Sequence, residues 1–555
     1  MGTYVNPNND SFRSDTHSSI YVDKTGMLSI LNSAIGGVKR YFAVSRARRF
    51  GKSMAAGMID AYYSKGCDSK ELFTPYAISK DPGFGKYLNK YNVLHFDVAT
   101  FFNAAKTPDD IIPMMDRRLL REMIEEFPFL KTLKPEDTAE AIDMVFKKDG
   151  IQFVVIIDEY DCIIRDDPEN TELIKNYLKY LRGFFKTEES KKFLALGYIT
   201  GILPIKKVDG ESALNNFSEY TMTDPGELVG YFGFTQAEVE RECRSHNRNI
   251  EDIRDWYDGY YMYSDAPENI AEVGNDNENG SVRIINSRYQ KLHHIYNPNS
   301  VVDALMRGPL VSYWKNTGSF GSLRKFITLN YAGLKEDVVF MLSGGRRKVN
   351  INNFQNDLVQ FKKKDDVLAC LIHMGYLGYD AYTREAFIPN REVAEVFQSA
   401  IETGDWDDVS DALEKSEDLL NATIAMDERK VAEIISGSHQ DYASIINFHD
   451  ENALAVAIMI SYYTARTDYR VIRELPTGRG FADIAFIPKR EGEKPAMIVE
   501  LKWNRSARAA IKQIRDKNYT GVLSGYKGDI LLVGIGYSKK SGKYSCRIEK
   551  SVRFP

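Results

Sequence analysis

The sequence predicts an α/β protein, with a doubly wound parallel sheet near the N-terminus, a mainly helical middle region and a smaller α/β domain at the C-terminus. Three observations predict this. Short apolar strands alternate with helical periods between Tyr41 and Thr200. A helical stretch then runs to about residue 440, after which strands return. Hydrophobic residues make up 43% of the 555 and charged residues 27%, enough to give each domain its own core.

Tyr41 to Val44 is a short apolar run leading into an Arg/Gly stretch, and Met54 to Lys65 follows with a helical period. Asn92 to Val98 reads as a second strand and Ile111 to Phe127 as a helix. Phe153 to Ile157 is continuously apolar, as a strand covered on both faces must be. Leu173 to Phe185 is helical, and Phe193 to Thr200 is another buried strand. The expected boundaries are 1–230 for this domain, 231–330 and 331–440 for two helical regions, and 441–555 for the last domain. Residues Ala266 to Arg283, rich in Asn, Asp, Glu and Gly, read as an inserted loop or hairpin.

A net charge of −5 gives no global attraction to nucleic acid or membrane, so a nucleic-acid site has to be a local basic patch. Five scattered cysteines without a C-x-x-C pair argue against a disulfide framework or structural zinc, and fit a reducing cytoplasm. No run of about 18 apolar residues exists, so no membrane span is expected.

Gly51-Lys52-Ser53 matches the end of the phosphate-loop pattern G-x-x-x-x-G-K-[ST], although Arg46 holds the first glycine position. The chemistry is intact. Backbone N–H groups from Phe50 to Met54 can meet phosphate oxygens at a helix N-terminus, Lys52 can neutralise them, and Ser53 can ligate Mg²⁺. Four apolar residues then lead into Asp158-Glu159, which places Asp158 at a strand's carboxyl end as a metal ligand and Glu159 as the residue polarising water. Arg46, Arg48 and Arg49 have two readings, as contacts to phosphates or to the nucleotide of a neighbouring subunit, or as partners of surface carboxylates. Thr200 ends a strand and is either a γ-phosphate sensor or a plain strand end.

A second constellation lies near the C-terminus. Asp483 follows Gly478-Arg479-Gly480, and Glu500-Leu501-Lys502 ends the apolar run Met497 to Val499. On a strand Glu500 and Lys502 share a face. Asp483 and Glu500 can then hold a divalent metal while Lys502 orients water and stabilises charge on phosphate. Glu451 offers a further carboxylate. Gln513 sits on a helix with Arg505, Arg508, Lys512, Arg515 and Lys517, a basic face suited to a phosphate backbone. The plain alternative is a salt bridge between Glu500 and Lys502.

These motifs resemble the bacterial AAA-ATPase-like proteins that carry a C-terminal PD-(D/E)XK nuclease-superfamily domain. Tyr21-Val22-Asp23-Lys24-Thr25 resembles that family's first motif. Arg46 to Ser53 resembles its R-P-R-R-F-G-K-S loop with Ala47 in place of proline, and Ile157 to Asp161 resembles its Walker B strand. Trp256 to Tyr260 and Tyr296-Asn297-Pro298 resemble its middle region. Glu500-Leu501-Lys502 stands where many members have E-F-K, followed by Gln513-Ile514. The resemblance implies a P-loop NTPase core, a helical lid with a winged helix as an alternative form, and a restriction-endonuclease-like C-terminal domain. It also implies ATP and Mg²⁺ as cofactors, DNA as substrate, and nucleotide state controlling the nuclease-like domain. The rival is a nucleotide-dependent switch or scaffold whose nuclease fold is inert and only binds. Whether the chain forms a homo-oligomer stays open.

Overall fold

The structure is a computed structural model. It describes the chain apart from residues 1, 206, 209–210, 213, 266–281, 286–287, 315–318, 330, 353, 355, 357, 359–360, 403–414, 443–450, 477–480, 491, 518–522, 524–525 and 552–555. Most of the expected insertion and the Gly478-Arg479-Gly480 part of the second motif therefore lie outside the described residues. The chain forms two compact units. The first holds Met1–Trp314 and Lys348–Val393, and the second Lys315–Arg347 and Ala394–Pro555.

The first unit is built on five strands, β1 (Tyr41–Ser45), β2 (Asn92–Asp97), β3 (Phe153–Asp158), β4 (Leu194–Gly201) and β5 (Ser218–Tyr220), in the spatial order β2-β3-β4-β1-β5. Every pairing is parallel. Helices cover both faces, which is why β1, β3 and β4 are buried throughout rather than alternating. Strand β4 separates β1 from β3, so Val44 pairs with Thr200 and Ile157 with Ile199. The carboxyl ends of these strands thus bring Thr200, Asp158 and the loop after β1 together.

That loop leads into α1 (Lys52–Tyr63). Gly51 has φ 86°, a left-handed conformation that glycine adopts without penalty. The N-terminal helix Asp10–Thr16 lies directly on α1, since a Cβ at Gly57 would stand 2.9 Å from Ser11 Oγ. After β3 come α2 (Cys162–Asp166) and α3 (Thr171–Phe185).

Residues 231–330, expected to be helical, also contain an antiparallel sheet. Its described strands include β6 (Tyr260–Asp265) and β7 (Arg288–Tyr296), which pair across six residues. The tyrosines of Tyr260–Tyr263 suit a strand by propensity, but the run carries no period of two in its residue types that would mark one in the sequence. Helix α4 (Pro298–Arg307) follows, with Pro298 in its first turn and Asn297 as its cap. The aromatic cluster packs within this unit: Tyr257 donates to the Val311 carbonyl at 3.0 Å, Tyr260 to the Gly375 carbonyl at 2.8 Å, and the Arg391 guanidinium lies 4.2 Å from the Trp256 ring centre.

The second unit's sheet runs β8 (Tyr469–Pro476), β9 (Phe481–Pro488), β10 (Ala496–Trp503), β11 (Ile530–Ser538) and β12 (Lys543–Lys550) in chain order, with only the β10–β11 pair parallel. The parallel pair needs a crossover, supplied in part by α5 (Ala507–Asp516). Met497, Val499 and Leu501 face one hydrophobic cluster, while Ile498 packs with Ile511 and Ile514 of α5. The strand's period of two therefore turns Glu500 and Lys502 toward α5. All five cysteines are free thiols. Among the described residues no helix is long and apolar enough to cross a membrane.

Candidate functional site

In the first unit a cavity of about 830 Å³ opens beside the β1–α1 loop. Its polar lining includes Arg48, Arg49, Lys52, Ser53 and Glu159. Its apolar lining includes Phe12, Ile20, Val22, Met58 and Phe234. The N-terminal segment thus lines the cavity, with Tyr21, Val22 and Lys24 of the first motif among its residues and Lys24 held by Glu238 at 2.6 Å. Asn299, Val302 and Asp303 of α4 close another side.

Lys52 is buried, and its ammonium donates to the Arg46 and Ala47 carbonyls, both at 3.1 Å. Burial lowers its pKa, opposed by the nearby charges of Glu159, Asp158 and Asp161. Asp158 is buried too, and one oxygen accepts from the Thr200 hydroxyl and, at 3.0 Å, from the Glu159 N–H. Glu159 adopts φ 49° and its carboxylate meets Arg165 of α2 at 3.0 Å. Arg165 also reaches Asp161 at 3.2 Å. Burial works against the Arg165 charge, but Asp161, Asp166 and Glu159 outweigh it and raise its pKa. Asp161 itself accepts the Ile202 and Leu203 N–H groups, at 3.1 and 2.8 Å. Gly201 permits this approach, since a Cβ there would stand 2.6 Å from Asp161 Oδ1. Asp161 closes the run that resembles the Walker B strand, whereas Arg165 lies outside every motif read from the sequence.

Arg46 sits apart from the cavity. It is fully buried, donates to the Ser45 and Tyr220 carbonyls at 2.9 and 2.7 Å, and lies over the Phe232 ring. Neither of the sequence's two readings describes it: it braces the loop against β5 and does not line the cavity. Phe50 is buried edge-on against Tyr260, with ring centres 5.2 Å apart, while Met54 stays exposed at the cavity rim. Sequence also gave no signal for His95, whose ring pairs with Asp60 of α1. Burial works against its protonation, but Asp60, Asp158 and Asp97 outweigh that and raise its pKa. Asp97 stands beside Asp158 in the β2–β3 register.

In the second unit Ile484 pairs with Val499, so Asp483 falls opposite Glu500 one step further along the ladder. The Asp483 carboxylate accepts the Leu501 N–H at 2.7 Å. Lys502 donates to Glu500 at 3.0 Å and to the Leu501 carbonyl at 2.8 Å, and the Gln513 amide donates to the same Glu500 oxygen. The salt bridge anticipated as the plain alternative is therefore present, but buried and beside a second carboxylate. Burial, then Asp483, push the Glu500 carboxyl up to about 7. Its other oxygen is buried with no hydrogen-bond partner. Two apposed carboxylates with an orphaned oxygen fit a hard divalent cation. Glu451 opens the helix Glu451–Ser461, but its side chain lies outside the described residues. Among those residues no group of three or more His, Cys, Asp or Glu is placed to hold a metal.

Residues 10–209 match the family model of a predicted AAA-ATPase, and residues 450–545 match that of the PD-(D/E)XK nuclease superfamily. No curated protein and no solved structure gives a significant match. The five-stranded parallel sheet and the mixed sheet carrying Asp483 and Glu500 are the frames expected of those two families. The chain thus joins an AAA-ATPase-like domain (residues 10–209) to a PD-(D/E)XK nuclease-superfamily domain (residues 450–545).

Proposed function

We propose that the first unit binds and hydrolyses ATP with Mg²⁺, and that its nucleotide state controls metal-dependent cleavage of DNA by the C-terminal domain. One observation carries the nucleotide reading: Lys52, Ser53 and Glu159 line one cavity together with apolar side chains such as Phe12, Val22 and Phe234, a mixed lining that suits phosphates and a base. Lys52 leaves the loop carbonyls for the β- and γ-phosphates. The N–H groups of Lys52 and Ser53, which have no partner within the helix, meet the phosphate oxygens. Ser53 and Asp158 would hold Mg²⁺, which supplies charge neutralisation between the phosphates. Glu159 accepts a proton from water as its oxygen attacks the γ-phosphorus; the bond to the β-phosphate oxygen breaks and ADP leaves. Arg48 and Arg49 flank the phosphate end, and Thr200 orients Asp158.

In the C-terminal domain Asp483 and Glu500 would hold Mg²⁺, which supplies Lewis-acid activation of a backbone phosphate. Lys502, which makes two hydrogen bonds within the site, positions the water whose oxygen forms a new bond to phosphorus and offsets charge on the phosphate; one P–O ester bond breaks, and the leaving sugar oxygen takes up a proton from solvent. Gln513 fixes the Glu500 carboxylate.

Labelled ATP is titrated with and without Mg²⁺ into the wild-type chain and into Lys52→Ala. Binding by wild type that is lost in Lys52→Ala is expected; no binding by wild type, or equal binding by both, would end the nucleotide reading. Linear, nicked and single-stranded DNA with Mg²⁺ or Mn²⁺ test the second site. Cutting that persists in Asp483→Ala would assign it to a contaminant.

A further inference from the structure

The second unit carries a basic surface in two parts that the chain places far apart. Residues 501–515 contain five basic residues and no acidic one, and residues 530–548 contain four and none. The structure joins them at one corner of the sheet. Asn504, at φ 56°, donates its N–H to the Tyr537 carbonyl at 2.7 Å and accepts the Lys539 N–H at 2.9 Å. Gly534 and Gly536 let the chain before α5 lie directly on β11. A Cβ at Gly536 would stand 2.5 Å from the Arg505 carbonyl oxygen, and one at Gly534 would stand 2.4 Å from that of Ala507. The turn after β11 therefore presents Lys539, Lys540 and Lys543 beside Arg505, all exposed. On the other face Trp503, Tyr537 and Tyr544 stack in register, at 4.8 and 4.9 Å between ring centres, and stiffen this corner.

The charges here are not neutralised. Among the described residues Arg505, Arg508, Lys512, Lys539, Lys540 and Lys543 pair with no carboxylate. By contrast Arg515, at the far end of α5, is tied to Glu549, and Arg547 to Glu428 and Glu549. The basic helix expected from sequence is thus split, and its unpaired end continues onto a turn that lies more than twenty residues further along the chain. Arg505 follows Lys502 by three residues, so the surface begins next to the carboxylate pair. In a chain of net charge −5, attraction for a polyanion has to come from such a place.

We propose that Arg505 and the Lys539–Lys543 turn form a backbone-binding edge that holds duplex DNA beside Asp483 and Glu500. This rests on the nuclease reading for its position, and deepens it by naming the surface that captures the substrate. Each phosphate neutralised releases counterions, so the edge sets the salt dependence of binding and carries no sequence preference.

The test uses the full chain carrying Asp483→Ala, so that DNA stays intact, and measures affinity for a labelled duplex across a salt series. Lys539→Gln/Lys540→Gln/Lys543→Gln should weaken binding roughly tenfold or more and flatten the slope of log K against log salt by about 0.9 for each phosphate that is no longer neutralised. Arg505→Gln should shift both in the same direction. A matched set on the first unit, Lys70→Gln/Lys80→Gln/Lys90→Gln, should change neither. An unchanged slope in the turn variant, or an equal loss of affinity in both triple variants, overturns the proposal. So does binding of duplex RNA in place of DNA. Cleavage by the otherwise wild-type chain separates the two readings. Cutting that needs Asp483 while the slope ignores the turn sinks the edge alone. A slope that follows the turn with no Asp483-dependent cutting sinks the nuclease alone.

Discussion

Two buried side chains in the first unit invite tests at the scale of single residues. Thr200 donates to Asp158 inside the sheet, and both are shielded from water. Thr200→Val keeps the shape and removes the donor, which should cost about 1–2 kcal/mol in stability. With Asp158 less firmly held, ATP turnover should fall more than ATP affinity; steady-state kinetics beside equilibrium binding would show the split. Glu392 is the second. Its carboxylate accepts from the Ser300 hydroxyl at 3.0 Å and the Tyr313 N–H at 2.9 Å, with Arg49 near enough to favour its charge. Burial still wins and pushes it up to about 7 from an ordinary 4.5. A carboxyl raised in the folded state binds its proton more tightly there than in the unfolded chain. Its stabilising effect is therefore present below pH 4.5 and is lost as pH rises through about 7. That gap is worth at most about 3 kcal/mol. Glu392→Gln should raise the melting temperature of the first unit relative to wild type above pH 7 and leave it unchanged near pH 4, as followed by thermal unfolding at several pH values.

Helix α4 shows how one element ties the loop to the rest of its unit. Its cap Asn297 accepts the Asn299 and Ser300 N–H groups and donates its amide to the Arg48 carbonyl at 3.3 Å. Asn297→Asp preserves the cap but cannot donate; Asn297→Ala loses both. Stability should fall by about 1 kcal/mol in the alanine variant from the lost cap, and in the aspartate variant because a carboxylate is buried facing the Arg48 carbonyl, while ATP affinity should fall several-fold in both. Equal affinity in wild type and the aspartate variant would show that the Arg48 hydrogen bond does not shape the site. The same element marks what the sequence could and could not reveal. Lys52, Ser53, Asp158 and Glu159 were legible because short motifs sat at the ends of apolar strands, and strand ends meet in a parallel sheet. Asp483 and Glu500 were legible because each sits beside an apolar run on its own strand, and antiparallel neighbours bring the start of one strand to the end of the next. Arg46 was not, because adjacency in a loop says nothing about which way a side chain turns. Nor was the cavity's apolar lining, which includes Phe12, Ile20, Val22 and Phe234, residues distant in sequence from the loop and without a period of their own. The antiparallel strands β6 and β7 were missed because an aromatic-rich run fits either a strand or a helix seam.

At the scale of the whole chain, the backbone passes between the two units three times, after Trp314, Arg347 and Val393. Two of these passages are fastened on the first unit's side by one residue. Glu392 accepts the Tyr313 N–H, and the Ser312 hydroxyl donates to the Glu392 carbonyl at 3.1 Å. The same carboxylate holds Ser300 of α4, whose cap touches the phosphate loop, so a run of direct bonds leads from Arg48 to the points where the chain departs. If nucleotide controls the C-terminal domain, the control has a thermodynamic signature that does not depend on how the units move. An ATP analogue that tightens DNA binding by some factor must itself be bound more tightly, by that same factor, when DNA is present. Couplings of this kind usually amount to about 5- to 150-fold. Both affinities are to be measured on the Asp483→Ala chain with a non-hydrolysable analogue, and the two factors should agree. Lys52→Ala should abolish the effect of nucleotide on DNA while leaving DNA affinity itself unchanged, and Asn297→Asp should reduce the factor. Two factors of one, with each ligand still binding, would mean that the two sites share a chain but not a free energy.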